Sequence, residues 1–454
     1  MEEQSSDGVP GRNPEAKKSA ETRPEYETQS ELRETQLLEE IISIEHLKRA
    51  FQAVKRNRGA AGRDGVTVEA FERNLKEELH KLRQEVEERR YEPSPVRRVE
   101  IPKAGGGVRK LGIPTVRDRV FQQAIYLKLE PLFEPTFSDG SYGFRPGRNQ
   151  KQAVERAQEL VREGKEWVVD IDLEKCFDQL NHDIILNQLR TKVSDRRVLR
   201  LIGQTLRSGI LTEREAEGAP QGSPLSPLLC NTVLDLLDKE LEQRGLSFCR
   251  YADDANIFVR SKKSAERVMG SISKFIEKRL RLKVNREKSK VAKSKEVTFL
   301  GFTIVEGEIA ISKKALKKAF EKLRELARGG SHLPAEKQLE RFNLWYRGWS
   351  EYFKLTSYPK QLAIVEAHLR RRMRKQFIRN QKRARHLYDK LIRAKIPRRL
   401  AGAVYGNRGP WALSHTRAIE RYWSNNWFIQ RGIFLRSTEN HPHWKPLSEW
   451  VKLA

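Results

Sequence analysis

The stretch that decides the fold is residues 248–259, which read FCRYADDANIFV. Strand-forming residues stand on both sides of an acid pair, so the stretch predicts a β-hairpin with Asp253 and Asp254 at its tip. Two adjacent carboxylates repel each other, and divalent cations would offset that repulsion because Mg²⁺ prefers oxygen ligands. An Asp-Asp pair also occurs in ordinary solvated turns, so the hairpin taken alone is compatible with a metal site or with a plain turn.

A second acidic stretch lies upstream, at residues 167–178, WVVDIDLEKCFD. Its apolar first half predicts a strand that runs into carboxylates and then into a helical turn carrying Phe177. Asp172, at the end of that strand, is a candidate third carboxylate opposite the hairpin, whereas Asp170 is a structural or more remote acid. Carboxylates gathered this way would suit two metal ions about 4 Å apart, which stabilise both oxygens of an in-line phosphoryl displacement. For this stretch alone, a strand end with solvated acids is the alternative.

A third feature is the loop at residues 219–229, APQGSPLSPLL, which precedes an expected helix. A Pro-Gln-Gly loop is an ordinary turn most of the time. Beside the two acidic stretches, it fits a loop that lies under a templating base pair.

The composition bears on partners and compartment. The chain has 454 residues and a formal net charge of +28, which favours a polyanion such as nucleic acid. No apolar run approaches the roughly 20 residues of a membrane span, and no secretory signal is recognisable. Three cysteines without C-x-x-C pairing argue against a disulfide framework and against a zinc module. We therefore expect a cytoplasmic protein with no membrane partner.

The chain divides by composition into five segments. Strands and helices mix in the centre without a regular βαβ repeat, which predicts an α+β domain with an antiparallel sheet. Helices follow it. The expected segments are a disordered lead-in at 1–36, an N-terminal extension at 37–90, the α+β part at 91–310, a helical part at 311–385 and a basic region at 386–454. The expected strands are 96–101, 167–171, 248–251, 256–259 and 298–305.

The helical part carries an unusual concentration of cations. Residues 370–399 contain fourteen Lys or Arg and a single acid, Asp389. Such a run is costly to hold together without counterions, and their release on contact with phosphates favours binding to nucleic acid. The aromatic residues Trp345, Trp349 and Phe353 recur at helical spacing and are better interpreted as core packing. Ser312 is expected to cap the first helix of this part.

Eight stretches in order resemble the reverse-transcriptase palm of group II intron-encoded proteins with maturase function. They are residues 97–103 (RRVEIPK), 111–115 (LGIPT), 142–148 (YGFRPGR), the Asp172 stretch, 220–222 (PQG), 251–254 (YADD), 282–285 (LKVN) and 299–302 (FLGF). Residues 342–353 resemble the thumb and maturase segment of the same family, and the lack of a zinc endonuclease resembles the bacterial class C lineage. The resemblance implies a right-hand polymerase with fingers and an antiparallel palm sheet, followed by an α-helical thumb and a basic helical C-terminal domain.

The resemblance also implies roles for individual residues. Asp172, Asp253 and Asp254 correspond to the catalytic carboxylates, which hold two Mg²⁺ ions, with Mn²⁺ as a substitute and Ile171 as a further ligand. The nucleotide-binding set comprises Lys103 and Arg109 on the triphosphate, Phe177 against a ribose 2′-hydroxyl, Gln221 beside the nucleotide or template, and Lys288 near the pyrophosphate. The expected nucleic-acid contacts are Arg58, Arg63, Arg97, Arg98, Arg145, Arg148, Arg371, Arg372, Lys375, Lys382 and Arg383.

Two departures from the family pattern concern nucleotide fit: Cys176 stands where an aromatic residue is frequent, and Ser223 where glycine is usual. The partners implied are an RNA template, a DNA or RNA primer, dNTPs and structured intron RNA. Nothing in the sequence indicates an oligomeric state. Two alternatives stay open. One is a domesticated, defence or CRISPR-associated reverse transcriptase, and the other is a non-catalytic RNA-binding splicing factor.

Overall fold

The computed structural model describes residues 36–102, 108–208, 218–220, 222–329, 333–381, 383–406, 409–451 and 453. Of the predicted site residues, Lys103, Gln221, Lys382 and the side chain of Arg109 lie outside this description, as does the predicted lead-in apart from Gln36. No helix within the described ranges combines the length and the apolar character that a membrane span requires.

Within the residues that the structure describes, eight strands form three antiparallel sheets. They are β1 (Arg97–Pro102), β2 (Val108–Ile113), β3 (Trp167–Asp172), β4 (Ser247–Tyr251), β5 (Asp254–Val259), β6 (Lys290–Lys293), β7 (Phe302–Val305) and β8 (Glu308–Ile311). The four-stranded central sheet has the order β4-β5-β3-β6, and β1-β2 and β7-β8 each form a two-stranded ribbon. This antiparallel sheet confirms the predicted α+β class.

One set of helices precedes the last ribbon along the chain. They are α1 (Leu37–Ile41), α2 (Ile44–Arg56), α3 (Val68–Arg73), α4 (Leu75–Glu87), α5 (Val116–Phe133), α6 (Gln150–Arg162), α7 (Cys176–Gln179), α8 (His182–Arg190), α9 (Arg196–Ser208), α10 (Ser226–Gln243) and α11 (Lys262–Phe275). The chain after β8 is helical. Its helices are α12 (Lys313–Gly329), α13 (Ala335–Phe353), α14 (Pro359–Arg379), α15 (Ala384–Arg393), α16 (Arg398–Ala401), α17 (Gly409–Leu413), α18 (Arg417–Tyr422) and α19 (Asn425–Gln430).

The alternation of side chains along the strands separates two cores. Val169 and Ile171 of β3 and Ile257 of β5 face the largest apolar cluster, which extends through α10 and α5 into the N-terminal helices. Val168 and Phe258 point to the opposite face, into a second cluster shared with β7, β8 and the end of α13. A third cluster holds α12 to α19 together. The catalytic candidates therefore lie at one edge of a sheet that is covered on both faces.

Local chemistry explains where the elements differ from expectation. The apolar spacing of residues 37–54 predicts one helix, which is split because Ser43 leaves the helix and accepts a hydrogen bond from the backbone of His46, which starts α2. The predicted strand at 298–305 is shortened to β7, since Leu300 and Gly301 both have positive φ angles and form a turn. Ser312 does cap α12: its Oγ accepts the backbone N–H of Ala315 at 3.2 Å.

Candidate active site and nucleic-acid interface

The register of the central sheet brings the predicted carboxylates together. Asp172, the last residue of β3, lies directly opposite Asp254, the first residue of β5. Asp254 also pairs with Tyr251 at the end of β4, so Ala252 and Asp253 form the two-residue turn of the hairpin. Ala252 adopts a φ of 58°, which suits a tight hairpin turn. Three carboxylates thus stand at one edge of the sheet, two of them on facing strands.

The electrostatics of this edge disfavour the charged state. Burial, together with the nearby carboxylates Asp170, Asp253 and Asp172, raises the pKa of Asp254 to about 7. Asp170 lies two residues before Asp172 and so on the same face of β3, and burial raises its pKa to about 6. Lys314, at the start of α12, acts in the opposite direction on both carboxyls. The site therefore contains more negative charge than its own cations neutralise.

A segment after the π-helical turn at Ile276–Leu280 fixes the backbone of Asp172. The Asp172 carbonyl accepts a hydrogen bond from the backbone N–H of Asn285 at 2.9 Å, and the Asp172 N–H donates to Ser289 Oγ at 3.0 Å. The same segment carries Lys288, whose Nζ lies 3.7 Å from Asp172 Oδ1. The structure thus puts Lys288 beside a predicted metal ligand, at the rim of the cleft described below.

A buried ion pair supports the hairpin from behind. The Arg250 guanidinium, which is 1% exposed, donates to both carboxylate oxygens of Asp238 on α10. A further N–H of Arg250 donates to the carbonyl of Ala252 at 2.9 Å, and another to Asn231 Oδ1 at 3.1 Å. Because a guanidinium holds its donors in a rigid plane, these bonds fix the turn that carries Asp253.

Gly143 belongs to the same arrangement. Its carbonyl accepts a hydrogen bond from Asn231 Nδ2 at 2.9 Å, and a Cβ added at Gly143 would stand 2.3 Å from the backbone nitrogen of Ala252. Only a residue without a side chain allows this approach. The glycine of the YGFRPGR stretch is therefore explained by its contact with the tip of the hairpin.

The carboxylates open onto a cleft of about 2030 Å³, larger than a pocket for one small ligand. Asp172, Asp253, Phe177 and Lys288 line it, as do Asn57 and Gly59 from the N-terminal extension. Gly222, with a φ of 131°, lies against the β1–β2 ribbon: a Cβ there would stand 2.7 Å from the carbonyl of Gly112. The Pro-Gln-Gly loop and the N-terminal loop thus contribute walls to one common cleft.

Phe177 stands in this cleft on the short helix that follows Asp172. Its ring meets that of Phe144 edge to face, with centroids 6.3 Å apart. Phe144 is half exposed and has a φ of 57°, a conformation that costs energy in a non-glycine residue and is concentrated at functional sites. The two rings together form an apolar wall beside the carboxylates.

The chemistry of the donor set fits a hard divalent cation. Three carboxylates supply oxygen donors, and the side chain of Ile171 is buried in the main core, so only its carbonyl oxygen is suited to ligation. Within the described ranges, no three or more His, Cys, Asp or Glu side chains are close enough to hold a metal ion by themselves. Mg²⁺ is usually bound by one or two carboxylates plus substrate phosphates, and Asp172 and Asp253, which both line the cleft, can supply such carboxylates.

Some of the predicted nucleic-acid contacts in the first half of the chain are exposed, and others already bond to protein groups. Arg58, Arg63 and Arg98 are exposed and Arg97 is half-buried. Arg148 lines the cleft and is paired with Asp139. Arg145 also lines the cleft, but it is buried and donates to Glu134 and to the carbonyls of Ser138 and Ser141, so its contact with nucleic acid stays a prediction.

The basic helix α14 is less solvated than its charge suggests. The guanidinium carbons of Arg371 and Arg372 lie 3.9 and 4.3 Å from the ring centroid of Trp411. Lys375 Nζ lies 5.8 Å from the same centroid. Arg383, at the start of α15, is exposed. Trp345, Trp349 and Phe353 pack within the apolar clusters, as the sequence predicts.

Three supporting residues escaped the sequence analysis: Arg250, Asp238 and Asn231. A signal for them exists. Arg250 shares a strand face with the core residue Phe248, and Asp238 follows the buried residue Leu237 of α10. A charged residue on a buried face requires a buried partner, but the sequence alone does not tell which one.

Two protein families match the chain, and several known proteins resemble it. Residues 101–304 match the reverse transcriptase (RNA-dependent DNA polymerase) family, and residues 316–394 match the maturase-specific domain of group II introns. Protein YkfC of Escherichia coli (strain K12) is 32% identical over 323 residues, covering 61% of this chain and 85% of that protein. The group II intron-encoded protein LtrA of Lactococcus lactis subsp. cremoris is 35% identical over 208 residues, covering 44% of this chain but 34% of LtrA. Among solved structures, a partial Cas6-RT-Cas1--Cas2 complex matches with 25% identity and a TM-score of 0.34, covering 53% of this chain and 42% of that one.

Proposed function

Because the chain belongs to the family of group II intron-encoded reverse transcriptases with a maturase-specific domain, we propose that it is an active RNA-directed DNA polymerase. It extends a DNA or RNA primer on an RNA template with dNTPs. It also binds the structured RNA of its intron and assists splicing and retrohoming. The first activity belongs to the cleft at Asp172, and the second depends on the basic helical region.

A single observation supports the polymerase activity most directly: Asp172 lies opposite Asp254, and Asp253 stands in the adjoining turn at the edge of the cleft. Reverse transcriptases use divalent metal ions, and we propose two Mg²⁺ ions here, replaceable by Mn²⁺, held by Asp172, Asp253 and Asp254 with the Ile171 carbonyl. When bound, such ions lower the pKa of an attacking hydroxyl and stabilise the charge on a leaving phosphate.

The chain's own residues position the reactants. Asp172 and Asp253 face the cleft, where the primer end and the nucleotide meet, and the Arg250–Asp238 pair holds the turn of Asp253 in place. Lys288 offers a positive charge beside Asp172 for the departing pyrophosphate. Lys103 and Arg109 grip the triphosphate, and Gln221 contacts the nucleotide or template, as the family resemblance implies. Phe177 contacts the sugar and excludes a 2′-hydroxyl.

Primer extension on an RNA template with Mg²⁺ tests the polymerase activity. We expect the wild type to extend the primer, and the variant Asp253→Asn to bind the same primer-template without extending it. Asp389→Asn, which removes a carboxylate from α15 far along the chain, is the matched control and should extend normally. A wild type that binds RNA but never extends a primer would overturn the polymerase activity and would favour a non-catalytic splicing factor.

Splicing assistance rests on a different observation, the match of residues 316–394 to the maturase-specific domain. That match favours the intron setting over a domesticated, defence or CRISPR-associated one. The test is splicing of the neighbouring intron at low Mg²⁺, with and without protein. Asp253→Asn should still accelerate splicing, because RNA binding by the helical region does not require the carboxylate. Equal splicing rates with and without the wild-type protein would refute this part of the proposal.

A further inference from the structure

A second concave surface lies in the helical region, far along the chain from the carboxylates. It is an open groove of about 680 Å³ between α14 and the segment around α18, and none of its lining residues belongs to the polymerase cleft. From α14 it receives His368, Arg370, Arg371 and Arg374, and from the other side Glu420 and Arg421. We call it the α14–α18 groove.

The charges of the groove do not balance. Four arginines line the groove, and the acid among its lining residues is Glu420. Glu420 Oε1 already lies 2.9 Å from His415 Nδ1 and 3.6 Å from Arg374 Nη1. Within the described ranges, Arg370 and Arg421 have no carboxylate within ion-pair distance. A concave surface with this excess of positive charge attracts anions strongly.

The acid nearest to Arg370 along the chain is not free to neutralise it. Both Glu366 oxygens accept hydrogen bonds, one from Tyr346 Oη at 2.7 Å and from the backbone of Ser437, the other from the Ser437 hydroxyl. Burial lowers the pKa of Arg370, and Glu366 offsets this effect only in part. The guanidinium of Arg370 is therefore held at the groove without a bonded anion.

Two of the arginines are fixed in place before any ligand arrives. Arg374 is buried and donates to the carbonyl of Trp423 at 2.9 Å, and Arg371 stacks on Trp411. A guanidinium whose rotamer is already fixed loses little entropy when it binds an anion. Planar guanidinium groups also match the paired oxygens of a phosphate.

Cations continue beyond the groove along α14. Arg372 and Lys375 lie on the Trp411 side of the helix, and the pKa of Arg372 is lowered by burial and then by Arg324, Arg371 and Arg328, all of them cations. A line of positive charge longer than one ligand suits consecutive phosphates of a strand better than a single small anion. RNA read through shape and backbone is the polyanion that such a surface fits.

We propose that the α14–α18 groove is a binding site for backbone phosphates of structured RNA, separate from the cleft that holds Asp172 and Asp253. The proposal rests on the proposed function only for the identity of the polyanion. Arg370 and Arg421 contact the phosphates directly, and Arg371 and Arg374 form the pre-organised wall behind them.

Filter binding of a structured RNA at several salt concentrations tests the proposal. Arg421→Gln and Arg370→Gln should each weaken binding by roughly fivefold, and each lost contact should reduce the slope of log K against log salt by about 0.9. Arg279→Gln, at an exposed position of the palm, removes the same charge and should change neither value. Arg421 is exposed, so its substitution leaves the fold intact.

The outcomes separate this proposal from the proposed function. The double variant combines Arg370→Gln with Arg421→Gln. If its RNA affinity and salt slope equal those of Arg279→Gln, the groove is not an RNA site. Primer extension by the wild type would still support the polymerase activity in that case. Binding of polyglutamate, an acidic polypeptide, is measured alongside RNA binding. If the double variant loses polyglutamate binding but keeps its RNA binding, the groove binds acidic protein instead, and the proposal is overturned. A wild type that neither binds RNA nor extends a primer would overturn both.

Discussion

Asp172 and Asp254 lie directly opposite each other on neighbouring antiparallel strands, at the edge where both strands meet the cleft. Like charges in facing positions destabilise a sheet, and burial adds to the cost, as the raised pKa of Asp254 shows. The protein maintains this unfavourable pair at the site where a polymerase of its family needs negative charge to bind metal ions. Stability and function therefore conflict at these two residues.

The first prediction follows from that conflict. Asp254→Asn should raise the free energy of unfolding at pH 8 without divalent ions by about 1 kcal/mol, because it removes one of the facing charges. The same variant should lose primer extension. Urea unfolding in the presence of EDTA measures the gain, with Asp389→Asn as the control that should show none. An Asp254→Asn protein less stable than wild type would contradict the electrostatic explanation.

The second prediction concerns the buried pair Arg250–Asp238. Arg250→Met should lower the free energy of unfolding by about 3–5 kcal/mol, since it leaves the Asp238 carboxylate buried without its partner. The surface pair Arg244–Glu240, whose side chains are 35% and 23% exposed, provides the control, because Arg244→Met should cost less than about 1 kcal/mol. Equal losses in the two variants, measured by urea unfolding, would show that the buried pair has no special role.

These residues also mark how far the sequence predicts the site. The hairpin at Asp253 and the strand end at Asp172 are visible locally, since each combines strand formers with acids in one short stretch. Arg250 and Asp238 are twelve residues apart on different elements, and no local pattern joins them. Their pairing depends on how α10 packs against the sheet, which is a tertiary property.

The fold shows the same division between local and tertiary information. The apolar periodicity of residues 196–208 predicts a helix, and α9 begins and ends at those residues. The strand β6, Lys290–Lys293, was not expected, because two of its four residues are lysines and it is short; it exists because its backbone pairs with β3. The strand predicted at 298–305 is shortened to β7 because Leu300 and Gly301 turn the chain within an apolar run that carries no polar signal, and the sequence analysis does not predict β8.

The third prediction tests the contact of Gly143 with the hairpin. Gly143→Ala should reduce kcat by about tenfold to a hundredfold, because the new Cβ would displace the backbone at Ala252 and with it Asp253. Gly270→Ala is the matched control: it lies exposed in α11 with open space around it and should leave kcat unchanged. A Gly143→Ala enzyme with normal kcat would show that the turn tolerates the displacement.

The fourth prediction is a pH dependence at Asp235 on α10. Burial raises the pKa of this carboxyl to about 6, and its Oδ1 has no hydrogen-bond partner within the described ranges. A raised pKa means that the folded state holds the proton more tightly than the unfolded state, so protonation of Asp235 stabilises the fold. This contribution to the free energy of unfolding is fully present below about pH 4 and is lost as the pH rises through about 6. Asp235→Asn should therefore be more stable than wild type at pH 8, by about 1–2 kcal/mol once partial solvent screening is considered. The difference should nearly vanish at pH 4, and a difference that is the same at both pH values would contradict this assignment.

The last prediction addresses the choice of sugar. If Phe177 excludes a 2′-hydroxyl, Phe177→Val should raise the kcat/KM for a ribonucleotide relative to the matching deoxyribonucleotide by more than about tenfold. The edge-to-face contact with Phe144 suggests that the ring is held from behind, so Phe144→Ala should shift the same ratio in the same direction but by less. A core role for Phe177 predicts a different result: lower stability and a uniform loss of kcat/KM for both sugars. The ratio of the two kcat/KM values thus distinguishes the two roles, because only contact with the sugar changes one value without the other.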